Sequence, residues 1–134
     1  MADFNFSMPI QPRYADFDML GHLNNATYLT YFELARLNYF IEIGWKVKDV
    51  SNVVAHFDID FILPILPSTE VICSIKTTSL GNKSFKMAYQ LASANKEDLY
   101  SVGYSVQVCF DKKTGTAIDI PQNIRELLTT YDQL

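Results

Sequence analysis

The sequence predicts an α+β fold, one long helix set against an antiparallel sheet of about five strands, and three observations carry that prediction. A single stretch of helical period occupies the first third of the chain. Four stretches of alternating apolar and polar residues follow it. The links between them are short and rich in turn-forming residues, and short links between consecutive strands imply antiparallel neighbours.

Residues 4–14 read as the first strand, ending near Arg13-Tyr14. Asp16, Asp18, Gly21, Asn24 and Asn25 mark the next segment as a loop. A helix is predicted over about 26–43, because Tyr28, Phe32, Ala35 and Tyr39 recur at helical spacing and Leu29 and Phe40 widen the stripe. Asn24 or Asn25 caps its start, and Gly44 stands where a helix stops. Apolar residues cover more than half of this helix, which predicts that it is wrapped on several sides, as by a curved sheet. Glu33 and Arg36, one turn apart on it, are spaced to pair with each other.

Beyond Gly44 the period becomes two. In 53–63, Phe57, Ile59, Phe61 and Leu63 point one way and His56, Asp58 and Asp60 the other, until Pro64 and Pro67 end the strand. In 69–79, Val71, Cys73, Ile75 and Thr77 share a face. In 83–93 it is Phe85, Met87, Tyr89 and Leu91; in 99–110 it is Tyr100, Val102, Tyr104, Val106, Val108 and Phe110. Gly81-Asn82, Asn95–Asp98 and Asp111–Gly115 are the turns. A short helix follows over 121–131, with Pro121 at its first position.

The 134 residues fit one domain spanning 1–134, and 49% hydrophobic content supplies a packed core. The net charge of -4 argues against nucleic acid as the main partner. Met1–Phe6 carries no basic, apolar leader, and no apolar run reaches membrane length, so a cytoplasmic protein with no membrane partner is expected. Cys73 and Cys109 lie in apolar runs and read as buried free thiols. His56, Asp58 and Asp60 are spread along one strand without further Cys or His, which reads as a solvated or oligomer-facing surface; no metal site is expected.

The chemistry-bearing stretch is 16–28, where two acids, a His and two Asn precede an apolar helix. One reading is structural: Asp18, Asn24 and Asn25 satisfy loop and first-turn N–H groups. The other rests on the helix start, whose unpaired N–H groups and positive dipole end polarise a carbonyl and stabilise an oxyanion. A nearby carboxylate then attacks the carbon or activates water. Asp18 lies seven positions before Asn25, with Gly21 letting the loop fold back.

The run Arg13-Tyr14-Ala15-Asp16-Phe17-Asp18-Met19-Leu20-Gly21-His22-Leu23-Asn24-Asn25, continuing to Tyr28 and Tyr31-Phe32-Glu33-Leu34-Ala35-Arg36, closely resembles the signature of the 4-hydroxybenzoyl-CoA thioesterase family. Asp58–Pro64 and Leu80–Phe85 resemble further family segments in register, so the resemblance covers essentially the whole chain. It implies a hotdog fold, a curved antiparallel sheet wrapped round a central helix. It also implies an acyl-CoA thioesterase acting as a homodimer that pairs again to a homotetramer, with active sites at the dimer interface. The family's catalytic carboxylate falls on Asp18 and its carbonyl-polarising N–H on Asn25; where some members carry a His, this chain has Asn25.

His22 reads either as a donor to substrate or as a loop hydrogen-bonding group, and completes the catalytic candidates. Gly21, Asn24, Tyr28, Lys83 and Ser84 are the substrate-binding candidates, the last two standing where some relatives bind the phosphates of coenzyme A. Asp16, at a variable family position, is expected to face solvent. No cofactor is implied beyond coenzyme A as part of the substrate. Two other readings stand beside hydrolysis of acyl-CoA: a hotdog protein that binds an acyl or aromatic ligand without turnover, and a thioesterase for acyl carrier protein.

Overall fold

The computed structural model describes residues 3–46, 48 and 50–134. Met1 and Ala2, the head of the segment read for a leader, lie outside the described residues. Strand β1 (Phe6–Ile10) leads through a short 3-10 turn (Tyr14–Asp16) to helix α1 (Asn25–Ile43). Then come β2 (Val50–Phe61), β3 (Val71–Leu80), β4 (Ser84–Ala92), β5 (Leu99–Asp111), a two-residue β6 (Thr116–Ala117) and helix α2 (Gln122–Asp132).

All pairings are antiparallel. The strand order is β1-β3-β4-β5-β2, with β6 attached to the end of β5. β1 stops at Ile10, short of the expected Arg13-Tyr14, because its partner β3 begins there, at Val71, and Pro12 has no N–H to continue a ladder. Register breaks at Val54/His56, Thr77/Ser79 and Leu91/Ala92 bend the strands. The sheet curves round α1.

Helix α1 forms as the caps dictate. The Asn24 side chain accepts the Ala26 N–H at 3.0 Å, and Gly44 closes the helix at φ 92°, a conformation side chains resist. Phe32, Ala35 and Tyr39 are fully buried, with Phe32 against Phe57 and Tyr89 at ring separations of 5.6 and 5.1 Å. Yet the helix is not wrapped on several sides by its own chain. Leu29, Leu34, Leu37 and Ile41 remain 44 to 74% exposed, so one flank is open. The Glu33–Arg36 pair does not form either. Arg36 turns inward and donates to the Tyr89 hydroxyl at 3.3 Å, while Glu33 stays exposed. Among the described residues the ion pair is Arg13–Asp16.

The helix side of the sheet carries Val71, Cys73, Ile75 and Thr77 from β3 and Phe85, Met87, Tyr89 and Leu91 from β4, the faces the alternation predicts. Strand β5 differs. Ser101, Ser105, Gln107 and Cys109 are buried towards the helix, and the apolar row Val102, Tyr104, Val106, Val108, Phe110 faces away from it. Small side chains are accommodated there because Phe32, Phe57 and Tyr89 fill the space above them. The Tyr89 hydroxyl contacts the Ser105 hydroxyl at 2.6 Å. His56, Asp58 and Asp60 lie exposed on the outer face, as expected. Cys73 and Cys109 are buried free thiols, and burial pushes both thiols up. Pro121 caps α2 from just outside rather than from its first position, and Ile124 and Leu128 bury its inner side.

Candidate active site

The loop before α1 is a small hairpin closed by backbone hydrogen bonds. The Asp18 N–H donates to the His22 carbonyl at 2.8 Å, and the Asn24 N–H donates to the Asp16 carbonyl at 2.8 Å. Between them Phe17 and Leu23 form a bridge. Gly21, at φ 78°, makes the reversal at the tip, and its N–H donates to the Asp18 carbonyl at 3.1 Å. Leu23 is buried, and its N–H donates to the Ile65 carbonyl at 2.9 Å, which clips the hairpin to the segment after β2.

Asp18 sits on the exposed side of this hairpin. Its Oδ1 accepts the N–H groups of Leu20 at 2.9 Å and His22 at 3.2 Å. Its Oδ2 makes no hydrogen bond among the described residues. One oxygen therefore fixes the carboxylate and the other is free to react. At the start of α1 the Asn24 side chain takes the Ala26 N–H, and the Asn24 carbonyl takes the Thr27 N–H at 2.9 Å. The N–H of Asn25 has no partner among the described residues, so it is the open donor of the first turn.

Asp18, His22, Asn25 and Tyr28 line one cleft of about 240 Å³, walled on its far side by Phe61 to Pro64. Tyr28 is buried, and its ring stands edge-on to Phe61 at 4.9 Å, so it forms the floor. The loop hydrogen bonds of His22 run through its backbone, which leaves its ring in the cleft wall. Asp18 also borders a second hollow of about 480 Å³, lined by Tyr14, Phe17, Met19, Gly21 and Pro67 among others.

Asp16 does not face solvent. It is 3% exposed, and its carboxylate collects four donors. They are the Tyr31 hydroxyl at 2.6 Å, the Arg13 N–H at 2.9 Å, and Arg13 Nη2 and Nε at 2.9 and 3.2 Å. Burial pushes its carboxyl up, but the Tyr31 and Arg13 hydrogen bonds and the Arg13 charge outweigh that and hold it below the usual range. Burial, and then the bond to Asp16, push the Tyr31 phenol up. The sequence reading missed Asp16 and Tyr31 as partners, and it missed the wall Phe61–Leu63. Their signal was weak: Tyr31 is one aromatic among many on α1, and Phe61 and Leu63 read simply as strand core.

The other candidates fall into two groups. Gly21 and Asn24 act through the hairpin and the cap, next to the cleft. Lys83 and Ser84 do not join them. The cleft wall Phe61 pairs with Ser101, which pairs with Leu91 near the end of β4, whereas Lys83 precedes the first residue of that strand. Eight residue steps along the strand separate the two places, roughly 26 Å at ~3.3 Å per residue. Among the described residues, no three His, Cys, Asp or Glu side chains gather as a metal-ligand set, and no helix is long and apolar enough to cross a membrane.

A helix lying on a curved antiparallel sheet, with a carboxylate hairpin at the helix start, is the architecture of a hotdog thioesterase. The chain belongs to the thioesterase-like superfamily, whose family model matches residues 12–128. It is similar to a thioesterase of Thermus thermophilus solved with coenzyme A and Zn, with 32% identity, 100% of this chain and 99% of the other covered, and a TM-score of 0.87. A 1,4-dihydroxy-2-naphthoyl-CoA thioesterase from Synechocystis, Slr0204, shares the fold at 19% identity over 92% of this chain and 94% of its own, with a TM-score of 0.81. The uncharacterized protein YsmA of Bacillus subtilis (strain 168) is 29% identical over 129 residues, 95% of this chain and 87% of its own.

Proposed function

We propose that this chain hydrolyses an acyl-coenzyme A thioester to the free acid and coenzyme A. One observation carries the reading: a carboxylate with one oxygen pinned and one free, Asp18, shares a cleft with the open N–H of Asn25. The thioester carbonyl oxygen accepts that N–H, and negative charge developing on it is stabilised by the positive helix end. In one form of the step Asp18 Oδ2 attacks the carbonyl carbon, the C–S bond breaks, the thiolate takes a proton, and water cleaves the resulting anhydride. In the other, Oδ2 takes a proton from water as that water attacks, and the thiolate leaves with a proton. His22 faces the same cleft and is placed to donate to substrate. Tyr28 and Phe61 supply an apolar floor for the acyl group. Neither form uses a cofactor; coenzyme A enters as part of the substrate. A cytoplasmic location belongs to the same reading.

The reading includes a second copy. β2 is a 12-residue edge strand whose outer side is unpaired among the described residues. Antiparallel pairing of two β2 edges makes a homodimer. It also brings Lys83 and Ser84 of one copy to the Asp18 end of the other, where coenzyme A phosphates would need them. Pairing of two such dimers makes a homotetramer.

The test is free-thiol release from a panel of acyl-CoAs of increasing chain length, wild type beside Asp18→Asn. Thiol release lost in the variant is the expected result. Equal turnover by both chains would remove Asp18 from the mechanism. No turnover by folded wild type on any acyl-CoA, but turnover of an acylated carrier protein, would move the substrate; no turnover on either would favour a binding protein.

A further inference from the structure

Arg36 is a buried cation that the proposed hydrolysis does not use. It is 9% exposed and lies one turn after Phe32, whose ring stacks on Phe57 of β2. One of its nitrogens, Nη1, donates to the Tyr89 hydroxyl at 3.3 Å, and that hydroxyl meets the Ser105 hydroxyl at 2.6 Å. Among the described residues no carboxylate pairs with it, since Glu33 stays exposed. A buried charge without a counter-charge is costly, and an arriving anion relieves that cost.

The helix connects this cation to the Asp18 cleft. Asn25 and Arg36 are eleven positions apart, close to three full turns, so they lie on one stripe of α1. Leu29 falls between them on that stripe and is 44% exposed. Across from it, β2 turns Phe61, Ile59 and Phe57 towards the helix. The stripe therefore starts at an open N–H, runs past apolar side chains and ends at a guanidinium. Two rulers give its length. Eleven residues of helix rise about 16 Å at ~1.5 Å each. Phe61 to Phe57, which pairs with Ser105, is four strand steps, about 13 Å at ~3.3 Å each. Hydrogen bonds of about 3 Å at either end leave roughly 7–10 Å between a thioester carbon and a terminal anion. An extended chain advances ~1.2 Å per bond, so the span takes an acyl group of about eight carbons.

We propose that the preferred acyl group ends in a carboxylate, about eight carbons from the thioester on the same chain-length estimate, and that Arg36 receives it. The assignment rests on the thioesterase reading and narrows its substrate to monothioesters of dicarboxylic acids. Tyr89 holds the guanidinium at the end of the stripe, and the carboxylate accepts its remaining N–H groups as a charge-assisted pair. A methyl end of the same length leaves the guanidinium buried without a partner, so the site disfavours it. A much shorter dicarboxylate does not span the stripe. Chain length and terminal charge are thus selected together.

The experiment is kcat/KM for suberoyl-CoA against octanoyl-CoA, equal in chain length and different in the terminal carboxylate. Succinyl-CoA against butanoyl-CoA is the short pair. The chains are wild type, Arg36→Met and Arg36→Lys, with far-UV spectra to check folding and sedimentation to read assembly mass. The expected result is that wild type prefers suberoyl-CoA at least about tenfold and shows no such preference in the short pair. Arg36→Met reverses the preference, and Arg36→Lys keeps part of it. Calorimetry with free suberate and octanoate reads the same preference without turnover. Equal rates on the two longer thioesters, or a preference for octanoyl-CoA, would overturn the inference and leave the thioesterase reading standing. Turnover of none of the four would overturn that reading; suberate binding lost in Arg36→Met would then still support the site, and absence of suberate binding would remove it. A preference that survives Arg36→Met would also overturn the inference, and a changed assembly mass beside it would give the guanidinium to a subunit contact. A variant that fails to fold does not shelter the proposal, because the wild-type comparison needs none.

Discussion

Asp16 and Asp18 stand two residues apart on one hairpin, and the two regions they occupy have opposite character. The inner side is saturated: the Asp16 carboxylate is buried and accepts four donors from Arg13 and Tyr31. The outer side is half satisfied: the Asp18 carboxylate is exposed, and only one of its oxygens is engaged. A fully bonded group anchors, because breaking it strands buried donors. A group with one free oxygen, on a backbone that cannot drift, is available for chemistry. The hairpin joins the two roles, since the Asp16 carbonyl holds the Asn24 N–H at the helix start.

The sharpest break in that comparison is Asp18→Asn. It should cost acyl-CoA turnover at least ~10³-fold, within or above the range of general base catalysis, and leave the melting midpoint nearly unchanged. Asp16→Asn should do the reverse in proportion. Loss of its charge-assisted bonds should cost about 1–3 kcal/mol of stability by chemical denaturation, with a smaller, roughly tenfold fall in kcat from a loosened hairpin. A chain whose stability is untouched by Asp16→Asn would sink the anchor role.

The same carboxylate sets a pH dependence. Folding holds the Asp16 carboxyl below its ordinary range. The unfolded chain therefore binds that proton first as pH falls. The stabilisation is complete above the unfolded value of about 3.9 and is lost as pH drops through the lower folded value. Denaturation curves from about pH 6 down to about pH 3, across the ordinary carboxylate value, should show a steeper loss for wild type than for Asp16→Asn. Tyr31→Phe removes one of the four donors and should cost ~1 kcal/mol. Asn24→Ala is the mildest, also near ~1 kcal/mol or below, through the cap alone, and amide exchange at Ala26 should report it.

Much of this was legible in the residues themselves. The helical stripe from Tyr28 to Tyr39, the cap at Asn24, the stop at Gly44 and the alternation of β3 and β4 are local signals, and local signals survive into the fold. So is the Asp18-Gly21-Asn25 loop, whose residue types leave few conformations. Alternation in β5 grouped Tyr100 to Phe110 on one face; Val102 to Phe110 share the outer one, but Tyr100, at the register break opposite Leu91/Ala92, is buried in the core, and two-fold periodicity does not say which face meets the helix.

That choice, and several like it, belong to the tertiary structure. The space above β5 is already occupied by Phe32, Phe57 and Tyr89, so the small and polar side of the strand packs inward and the apolar side is left for another surface. Asp16 is buried only because Arg13 and Tyr31, on different elements, converge on it. Arg36 finds Tyr89, 53 positions away, in place of Glu33 one turn off. Lys83 falls a full strand from Asp18 because β4 lies between them. By itself the sequence determined the periodicities, the caps and the turn-rich loop before the helix, because those depend on neighbours within one turn or one strand step. Burial and the meeting of distant side chains depend on how sheet and helix fill shared space, and only the folded chain decides that.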